Sequence, residues 1–249
     1  MNKGIVAITG AGGFLGRMLA EEIAKEHPVR LSDVGPVPAF GEAMVGDAGD
    51  PAYAERLLAG TEAIVISHML SRTPGAYDHP KKPLDVNSTA TATLFDAAVK
   101  AGCRTVVLIS SNAVVAGHQK KGVYLDQNLP YAPTDFYCLS KVLQEQIAAF
   151  YHQNFGIRVA MLRPAYVTDE ASMTDKYGRE KATVNWQFID RRDIASAALA
   201  AIHLPDLGLE SFYILGHPDA DKHADVAHAR NRLGWKPKYT FSAFPNDFP

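Results

Sequence analysis

The sequence predicts an α/β fold built on a doubly wound parallel sheet. Short apolar runs alternate with helical patterns from the first residues onward, and these runs are apolar along their whole length. Strands of that kind are buried on both faces, which requires helices on both sides of a parallel sheet. The composition agrees with a globular domain, because 47% of the 249 residues are apolar and 21% are charged.

The first half of the chain alternates most regularly. Apolar runs predict strands, and spacings of three and four residues predict the helices between them. Strands are expected at 5–8, 29–31, 43–45 and 63–66, and helices at 14–25, 51–59 and 84–101. Gly102 provides a stop signal for the third helix.

The second half begins with the most apolar run, a central strand over 105–109. A helix over 136–154 and a strand over 158–162 follow. Beyond Pro164 we expect a loop or mobile flap over 169–183, a helix capped by Asp193 and ending at 202, a strand over 211–215 and a helix over 221–233. The chain is therefore predicted to form one domain over 1–249. Residues 1–163 would form mainly its core, and residues 164–249 mainly a small lobe with elements that complete the sheet.

Charge and residue usage exclude several classes of protein. Lys and Arg total 25 against 27 for Asp and Glu, so the chain lacks the basic surplus of nucleic-acid-binding proteins. No stretch approaches the roughly 18 apolar residues of a membrane span, and the N-terminus lacks a signal-peptide pattern. Cys103 and Cys138 form no disulfide framework, and the nine histidines form no metal-binding motif. We expect a cytoplasmic enzyme without a metal.

A glycine-rich segment joins the first strand to the first helix. Gly10, Gly13 and Gly16, with Phe14 and Leu15 between the last two, follow the pattern G-x-x-G-x-x-G. Glycines here allow a tight turn and a close approach to a pyrophosphate, which the helix N-terminus stabilises. These five residues are therefore candidate contacts to a dinucleotide, and the fold is predicted to be of the Rossmann type.

An acidic residue ends the second strand, about 20 residues after the glycines. Asp33 can accept hydrogen bonds from ribose hydroxyls and would repel a 2′-phosphate. No arginine follows it to hold such a phosphate, and Arg30 lies within the strand, where it would be solvated or paired. The sequence favours NAD over NADP. Asp47, after the third strand, is a candidate contact to adenine or a solvated turn residue.

Tyr137 and Lys141 stand four residues apart and so share one face of a helix. The strand over 105–109 precedes them, and functional groups gather where parallel strands end. Lowering the pKa of a tyrosine from about 10 to about 7 needs roughly 4 kcal/mol. The Lys141 ammonium and an oxidised nicotinamide can supply it, so that a tyrosinate removes a hydroxyl proton while hydride leaves for the cofactor.

The ordered set of motifs resembles the extended short-chain dehydrogenase/reductases, the superfamily of NAD-dependent sugar epimerases and dehydratases. The set consists of TGAGGFLG at 9–16, Asp33, Asn87, SSNAVVAG at 110–117, YCLSK at 137–141 and Arg163-Pro164. The Ser-Ser-Asn stretch and the closing Leu233-Gly234-Trp235-Lys236-Pro237 are most similar to the uronate dehydrogenase branch.

The resemblance implies roles for individual residues. Tyr137 and Lys141 become the catalytic pair, both also touching the cofactor, and Asn87 becomes a cofactor-site residue. Ser111 and Asn112 would orient the substrate, and Ser71 would contact it. The resemblance also implies a homodimer or higher homo-oligomer. Only about 85 residues follow Pro164, which favours a small substrate such as a free sugar or sugar acid over a nucleotide sugar.

One segment departs from that branch. Uronate dehydrogenases hold the sugar carboxylate with a serine and an arginine after the sixth strand. Here Ser172, Lys176 and Arg179 are spaced differently, and Arg179 is either a carboxylate clamp or a solvated residue.

The leading hypothesis is NAD-dependent oxidation of a sugar or uronic acid at its C1 hydroxyl to a lactone. An epimerase or dehydratase that retains its NAD is the alternative, and a non-catalytic NAD-binding protein is a third.

Overall fold

The computed structural model describes residues 3–71 and 73–247, and seven of its strands form one parallel sheet. These strands are β1 (Ile5–Thr9), β2 (Val29–Asp33), β3 (Glu42–Val45), β4 (Thr61–Ile66), β5 (Thr105–Ile109), β6 (Arg158–Pro164) and β10 (Leu209–Ile214). Their order across the sheet is β10-β6-β5-β4-β1-β2-β3. The order reverses beside β1, and such switch points create the crevice in which α/β proteins bind ligands. The predicted doubly wound fold is confirmed.

Helices cover both faces of this sheet. They are α1 (Gly16–Ala24), α2 (Pro51–Leu58), α3 (Lys81–Pro83), α4 (Ala90–Ala101), α5 (Ala116–Gln119), α6 (Phe136–Phe155), α7 (Arg191–Ile202) and α8 (Val226–Leu233). Fully buried Leu19 and Ile194 of α1 and α7 pack on one face. Leu57, Phe95 and Ala148 of α2, α4 and α6 pack on the other. Among the described residues, no helix has the length and hydropathy needed to cross a membrane.

The helix expected over 84–101 begins instead with a wide turn. α3 leads into a π-helical turn over Leu84–Thr89, and the regular helix is α4. The carbonyl of Asn87 accepts hydrogen bonds from Thr91 Oγ1 at 2.6 Å and from Gln144 Nε2 of α6 at 3.0 Å. The side chains of Thr91 and Gln144 therefore form hydrogen bonds with the backbone of this turn. π-helical turns of this kind are frequent near functional sites.

The expected cap of α7 was wrong. Asp190 caps this helix, since its Oδ1 accepts the backbone N–H of Arg192 at 2.8 Å. Asp193 is buried inside the helix, where its two oxygens each accept a backbone N–H at 2.9 Å, from Lys238 and Tyr239. It therefore fastens the C-terminal segment to α7.

The helix expected over 221–233 also differs. It is divided into a 3-10 turn over Pro218–Lys222 and α8. Asp225 separates the two, because its side chain accepts the backbone N–H of His228 and so starts a new helix.

A small lobe, residues 166–190, lies in the chain between β6 and α7. It contains β7 (Tyr166–Asp169), β8 (Thr174–Asp175) and β9 (Phe188–Asp190) in the order β8-β7-β9. The loop expected over 169–183 thus includes a strand that pairs antiparallel with β7. Asp169 stabilises the intervening turn by accepting the N–H groups of Ala171 and Ser172. The division of the chain at 163/164 into core and lobe stays a prediction.

Candidate active site

A cavity of about 540 Å³ opens where β1, β4, β5 and β6 end. Its wall includes the glycine-rich turn on one side and the start of α6 on the other, with the small lobe above. Of the candidate residues from the sequence, those in the wall are Gly10, Gly13, Phe14, Leu15, Gly16, Asp33, Asp47, Ser71, Ser111, Asn112, Tyr137, Lys141 and Arg179. Residues scattered over 170 positions of the chain thus meet in one space.

The glycine-rich turn has the geometry of a dinucleotide cradle. Gly10 has a φ of +69°, a conformation that favours glycine. A Cβ on Gly16 would lie 1.9 Å from the carbonyl oxygen of Gly10, so only glycine lets α1 start this close to β1. The N-terminus of α1 faces the cavity, where its N–H groups and dipole favour a phosphate.

Asp33 lies beside this turn, at the end of β2. Its Oδ2 accepts the N–H of Gly12 at 3.0 Å, and its Oδ1 accepts that of Gly35 at 3.2 Å. A carboxylate fixed in this way retains lone pairs for ribose hydroxyls. Arg30 points away, donating to Glu42 at 2.8 Å and to the carbonyls of Leu57 and Ala59. It is paired, and not placed to hold a 2′-phosphate.

Lys141 is buried in the first half of α6, with only 3% of its surface exposed. Its Nζ donates a hydrogen bond to the carbonyl of Ile109 at 2.9 Å, which fixes the amine at the end of β5. Burial and, to a smaller extent, the positive charge of Lys176 together lower the pKa of Lys141 to about 7, against the opposing effect of Glu145. Tyr137, one turn earlier, packs its ring edge-on against Tyr77 with centroids 5.6 Å apart.

Ser111 and Asn112 form the adjoining wall, immediately after β5. Ser111 caps a 3-10 turn by accepting the N–H of Ala113 at 3.2 Å, and Asn112 Nδ2 donates to Gln119 at 2.9 Å. Both residues are almost fully buried, so their polar atoms are held in fixed positions beside Tyr137.

Asn87, which the resemblance makes a cofactor-site residue, is not among the residues of the cavity wall, and its role toward the cofactor stays a prediction. It is fully buried behind the cavity wall, where its Oδ1 accepts the N–H of Leu70 at 2.7 Å and its Nδ2 donates to Ser140 at 2.9 Å. It thereby joins the loop after β4, which carries Ser71, to the helix that carries Tyr137. The neighbour of Ser71, Arg72, which the sequence also predicts to lie beside the pocket, is outside the described residues.

Arg179 lines the cavity with its guanidinium already bound to Asp175. The Nε and Nη2 atoms lie 2.9 and 2.7 Å from Asp175 Oδ2, and the guanidinium stacks on the Tyr177 ring at 4.6 Å. Of the two alternatives from the sequence, a carboxylate clamp and a solvated side chain, neither included this ion pair, although the side chain is 59% exposed as the second would have it. The i, i+4 spacing of the two residues was the available signal.

His68, on the loop after β4, supports the site through two hydrogen bonds. His68 accepts a hydrogen bond from Thr9 Oγ1 at 2.9 Å and donates to the Val86 carbonyl at 3.1 Å, an assignment that follows from the network. Burial lowers the pKa of His68 to about 4, with a contribution from Lys141, so this imidazole is neutral at pH 7. In the part of the chain that the structure describes, no group of three or more His, Cys, Asp or Glu could hold a metal ion.

Glu145 is one helical turn beyond Lys141 and completely buried. It receives two hydrogen bonds from Arg163 at 2.9 and 2.7 Å and one from Ser110 Oγ at 2.6 Å. Glu145 was not among the residues predicted from the sequence, although its spacing of four from Lys141 and eight from Tyr137 placed it on their helix face. The ion pair of Glu145 and Arg163 joins α6 to β6 beneath the cavity.

Comparisons with known proteins agree with this geometry. The profile of the NAD dependent epimerase/dehydratase family matches residues 6–171. A uronate dehydrogenase of Pseudomonas syringae is 30% identical over 81% of this chain and 70% of its own. An NAD-dependent glucose-6-phosphate dehydrogenase of Haloferax volcanii is 26% identical over 97% and 98%. The crystal structure of uronate dehydrogenase from Agrobacterium tumefaciens aligns with a TM-score of 0.78 and 26% identity, over 98% and 87%.

A parallel sheet with this cradle and this Tyr–Lys helix is the framework of a Rossmann-type oxidoreductase that uses NAD. The family profile covers more than half of the chain. The chain therefore belongs to the NAD-dependent epimerase/dehydratase family, within the extended short-chain dehydrogenase/reductases and on their uronate dehydrogenase-like branch.

Proposed function

We propose that this protein oxidises a small free sugar or sugar acid, of the uronate type, at its C1 hydroxyl to a lactone. The observation that carries the proposal is the meeting of Tyr137, Lys141, Ser111 and Asn112 in the same cavity as the glycine-rich cradle. The relatives named uronate dehydrogenase support an acidic sugar as substrate.

The residues present fit NAD. The cradle at Gly10–Gly16 and the N-terminus of α1 suit a pyrophosphate, and Asp33 suits a ribose with free hydroxyls. Asp47, in the wall after β3, is the proposed contact to the adenine, and its Oδ1 accepts the N–H of Gly49 within its own turn. When bound, NAD supplies the acceptor for the hydride.

Tyr137 is the proposed base. As the C1–H bond gives up its electron pair as hydride, the proton of the C1 hydroxyl passes to the Tyr137 oxygen and the C1 carbonyl of the lactone forms. The Lys141 ammonium, held by the Ile109 carbonyl, stabilises the tyrosinate that accepts this proton. Ser111 and Asn112 hold the hydroxyl in line, because their own positions are fixed by neighbouring hydrogen bonds.

NADH absorbance tests the proposal, with the purified protein, NAD and a panel of uronic acids, neutral aldoses and phosphorylated sugars. We expect a uronic acid to be oxidised, and Tyr137→Phe to lose activity by roughly 10²–10⁴-fold while still binding NAD. Tyr124→Phe is the matched control, because Tyr124 is 47% exposed and outside the cavity wall.

Failure to form NADH with any sugar would contradict the dehydrogenase proposal. NAD that remains bound to the purified, inactive protein would then favour an epimerase or dehydratase, which returns the hydride to its substrate.

We also propose that the enzyme works in the cytoplasm as a homodimer or higher homo-oligomer. α6 leaves Phe150 and Phe155 about half exposed, at 53% and 52%, which is an apolar surface suited to another copy. Light scattering of the purified protein tests the assembly, and a monomer at all concentrations would contradict it.

A further inference from the structure

We propose that Lys176, rather than Arg179, recognises the anionic group of the substrate and sets the preference for acidic over neutral sugars. This inference rests on the proposed function and identifies the residue that selects the substrate class. Both cations stand on the small lobe and line the cavity, so the choice between them depends on what each already contacts.

Arg179 is committed to Asp175. The Asp175 side chain is only 4% exposed, and its oxygens also accept the hydroxyl of Tyr166 at 2.9 Å and the backbone N–H groups of Tyr177 and Arg179. These donors, with the arginine, hold the pKa of Asp175 far below its ordinary value against the opposing effect of burial. A substrate that drew Arg179 away would leave a buried carboxylate without its cation, which is strongly unfavourable.

Lys176 extends from the lobe across the cavity. Its Nζ lies 3.6 Å from Met69 Sδ, on the loop after β4 that also carries Ser71. The amine is close enough to Lys141 for its charge to lower the pKa of that residue. Lys176 therefore stands at the end of the cavity where Tyr137 and Lys141 act, and not at the end that holds the cradle.

The charges of the wall leave this end positive. Among the described residues of the wall, Lys141, Lys176 and Arg179 carry positive charge at this end, Asp175 carries negative charge, and His68 is neutral. The other two wall carboxylates, Asp33 and Asp47, follow β2 and β3. β2 is three strand positions from β5, a distance of roughly 14 Å. An anionic substrate would offset the surplus beside Lys176, and a neutral sugar would not.

The type of cation has a consequence for selectivity. An arginine fork recognises the planar shape of a carboxylate, whereas a lysine ammonium attracts a negative charge of any shape. We therefore expect the site to distinguish acids from neutral sugars more sharply than it distinguishes a carboxylate from a phosphate ester.

Calorimetric binding to the inactive Tyr137→Phe protein, with NAD present, tests the assignment separately from turnover. The ligands are glucuronate, glucose 6-phosphate and glucose. Each ligand is tested against three double variants, in which Tyr137→Phe is combined with Lys176→Met, Arg179→Met or Lys181→Met. Lys181 is the matched control, because it belongs to the same lobe but is not itself a residue of the cavity wall, its Nζ lying 5.2 Å from the centroid of the Tyr166 ring.

We expect Lys176→Met to weaken binding of both anions roughly 10- to 100-fold, the range for loss of a charged contact, and to leave glucose unchanged. Lys181→Met should change the anion affinities less than about threefold. Arg179→Met leaves the buried Asp175 carboxylate without its cation, so we expect its melting temperature to fall. At a temperature at which it is folded, it should weaken anion binding less than Lys176→Met does. Melting temperatures close to that of the parent protein would show that Lys176→Met and Lys181→Met are folded.

Weaker anion binding in Arg179→Met, with Lys176→Met unaffected, would overturn the assignment. Equal affinity of the parent protein for glucose and for both acids would also overturn it, but would leave a sugar dehydrogenase intact. If no sugar is bound or oxidised, both the assignment and the proposed function are wrong.

Discussion

The surroundings of the Lys141 amine disfavour its positive charge, since burial and the charge of Lys176 both lower its pKa. Its surroundings contain Glu145 and Tyr137 from α6, His68 from the loop after β4 and Lys176 from the small lobe. With a pKa of about 7, Lys141 loses its proton as the pH rises through neutrality, and Tyr137 then loses the cation that stabilises its anion.

Lys176→Met should therefore extend activity to higher pH when the substrate is a neutral aldose. Removing the neighbouring cation raises the pKa of Lys141, so the alkaline fall in kcat/KM moves upward. Profiles of kcat/KM from pH 5 to 10 measure this shift. An unchanged alkaline limb would mean that Lys176 does not act on Lys141.

The proposed role of Asp33 in the choice of cofactor can be tested at this same scale. In Asp33→Asn, we expect kcat/KM with NAD to fall roughly 10- to 100-fold, because a charged hydrogen bond to the ribose is lost. Activity with NADP should fall less, since the repulsion of its 2′-phosphate also disappears. The ratio of kcat/KM for the two cofactors is the measurement, and an unchanged ratio would contradict the role of Asp33.

At the scale of elements, the ion pair of Glu145 and Arg163 connects α6 to β6 in the interior. Glu145→Gln leaves Arg163 buried without a counter-ion, so we expect a loss of about 3–5 kcal/mol in the free energy of unfolding. Urea denaturation measures it. Asp85→Asn is the control, because the Lys81–Asp85 pair is exposed and should contribute little.

The elements also show which parts of the structure are readable from sequence. β5 has the predicted limits, and α6 ends one residue later than predicted. Local signals bound both elements: Gly102 lies before β5, and Asp135 and Gly156 lie at the two ends of α6. The π-helical turn was not predictable, since it involves Gln144, which is distant in the chain. Asp190 and Asp193 are equally good caps by composition, and only the packing of the C-terminal segment against Asp193 distinguishes them.

The residues of the candidate site also differ in how well the sequence predicts them. Spacing alone placed Tyr137 and Lys141 on one helix face and Asp33 beside the glycines, because both arrangements follow from local geometry. The pairing of Arg179 with Asp175 also had a local signal, because the two residues stand four positions apart. The inward direction of Asn87 depends instead on a contact between α6 and the π-helical turn, which no short stretch of sequence encodes.

For the whole molecule, Asp193 makes stability depend on pH in an unusual direction. Burial raises the pKa of Asp193 from 3.8 to about 6, so the native state binds this proton more tightly than the unfolded chain. Its contribution to stability is complete below about pH 4 and is lost as the pH rises through about 6, a change on the order of 3 kcal/mol.

Asp193→Asn should remove this dependence. The difference in unfolding free energy between the parent protein and the variant should change between pH 4 and pH 6.5, with the parent favoured at the lower pH. Urea unfolding at several pH values measures the difference, and groups that titrate in both proteins cancel. A constant difference would show that Asp193 keeps its ordinary pKa.

The small lobe leaves the sheet at β6, and the chain returns through α7 to β10, the strand that pairs with β6 in register from Leu209 to Ile214. The segment therefore leaves the sheet and rejoins it at two neighbouring strands whose pairing is fixed. Insertions, deletions and charge changes within that segment alter the substrate end of the cavity without shifting a single pairing of the seven strands. Substitutions confined to this segment of about 25 residues can therefore alter substrate selection, because Tyr137, Lys141 and the glycine-rich turn all lie outside it.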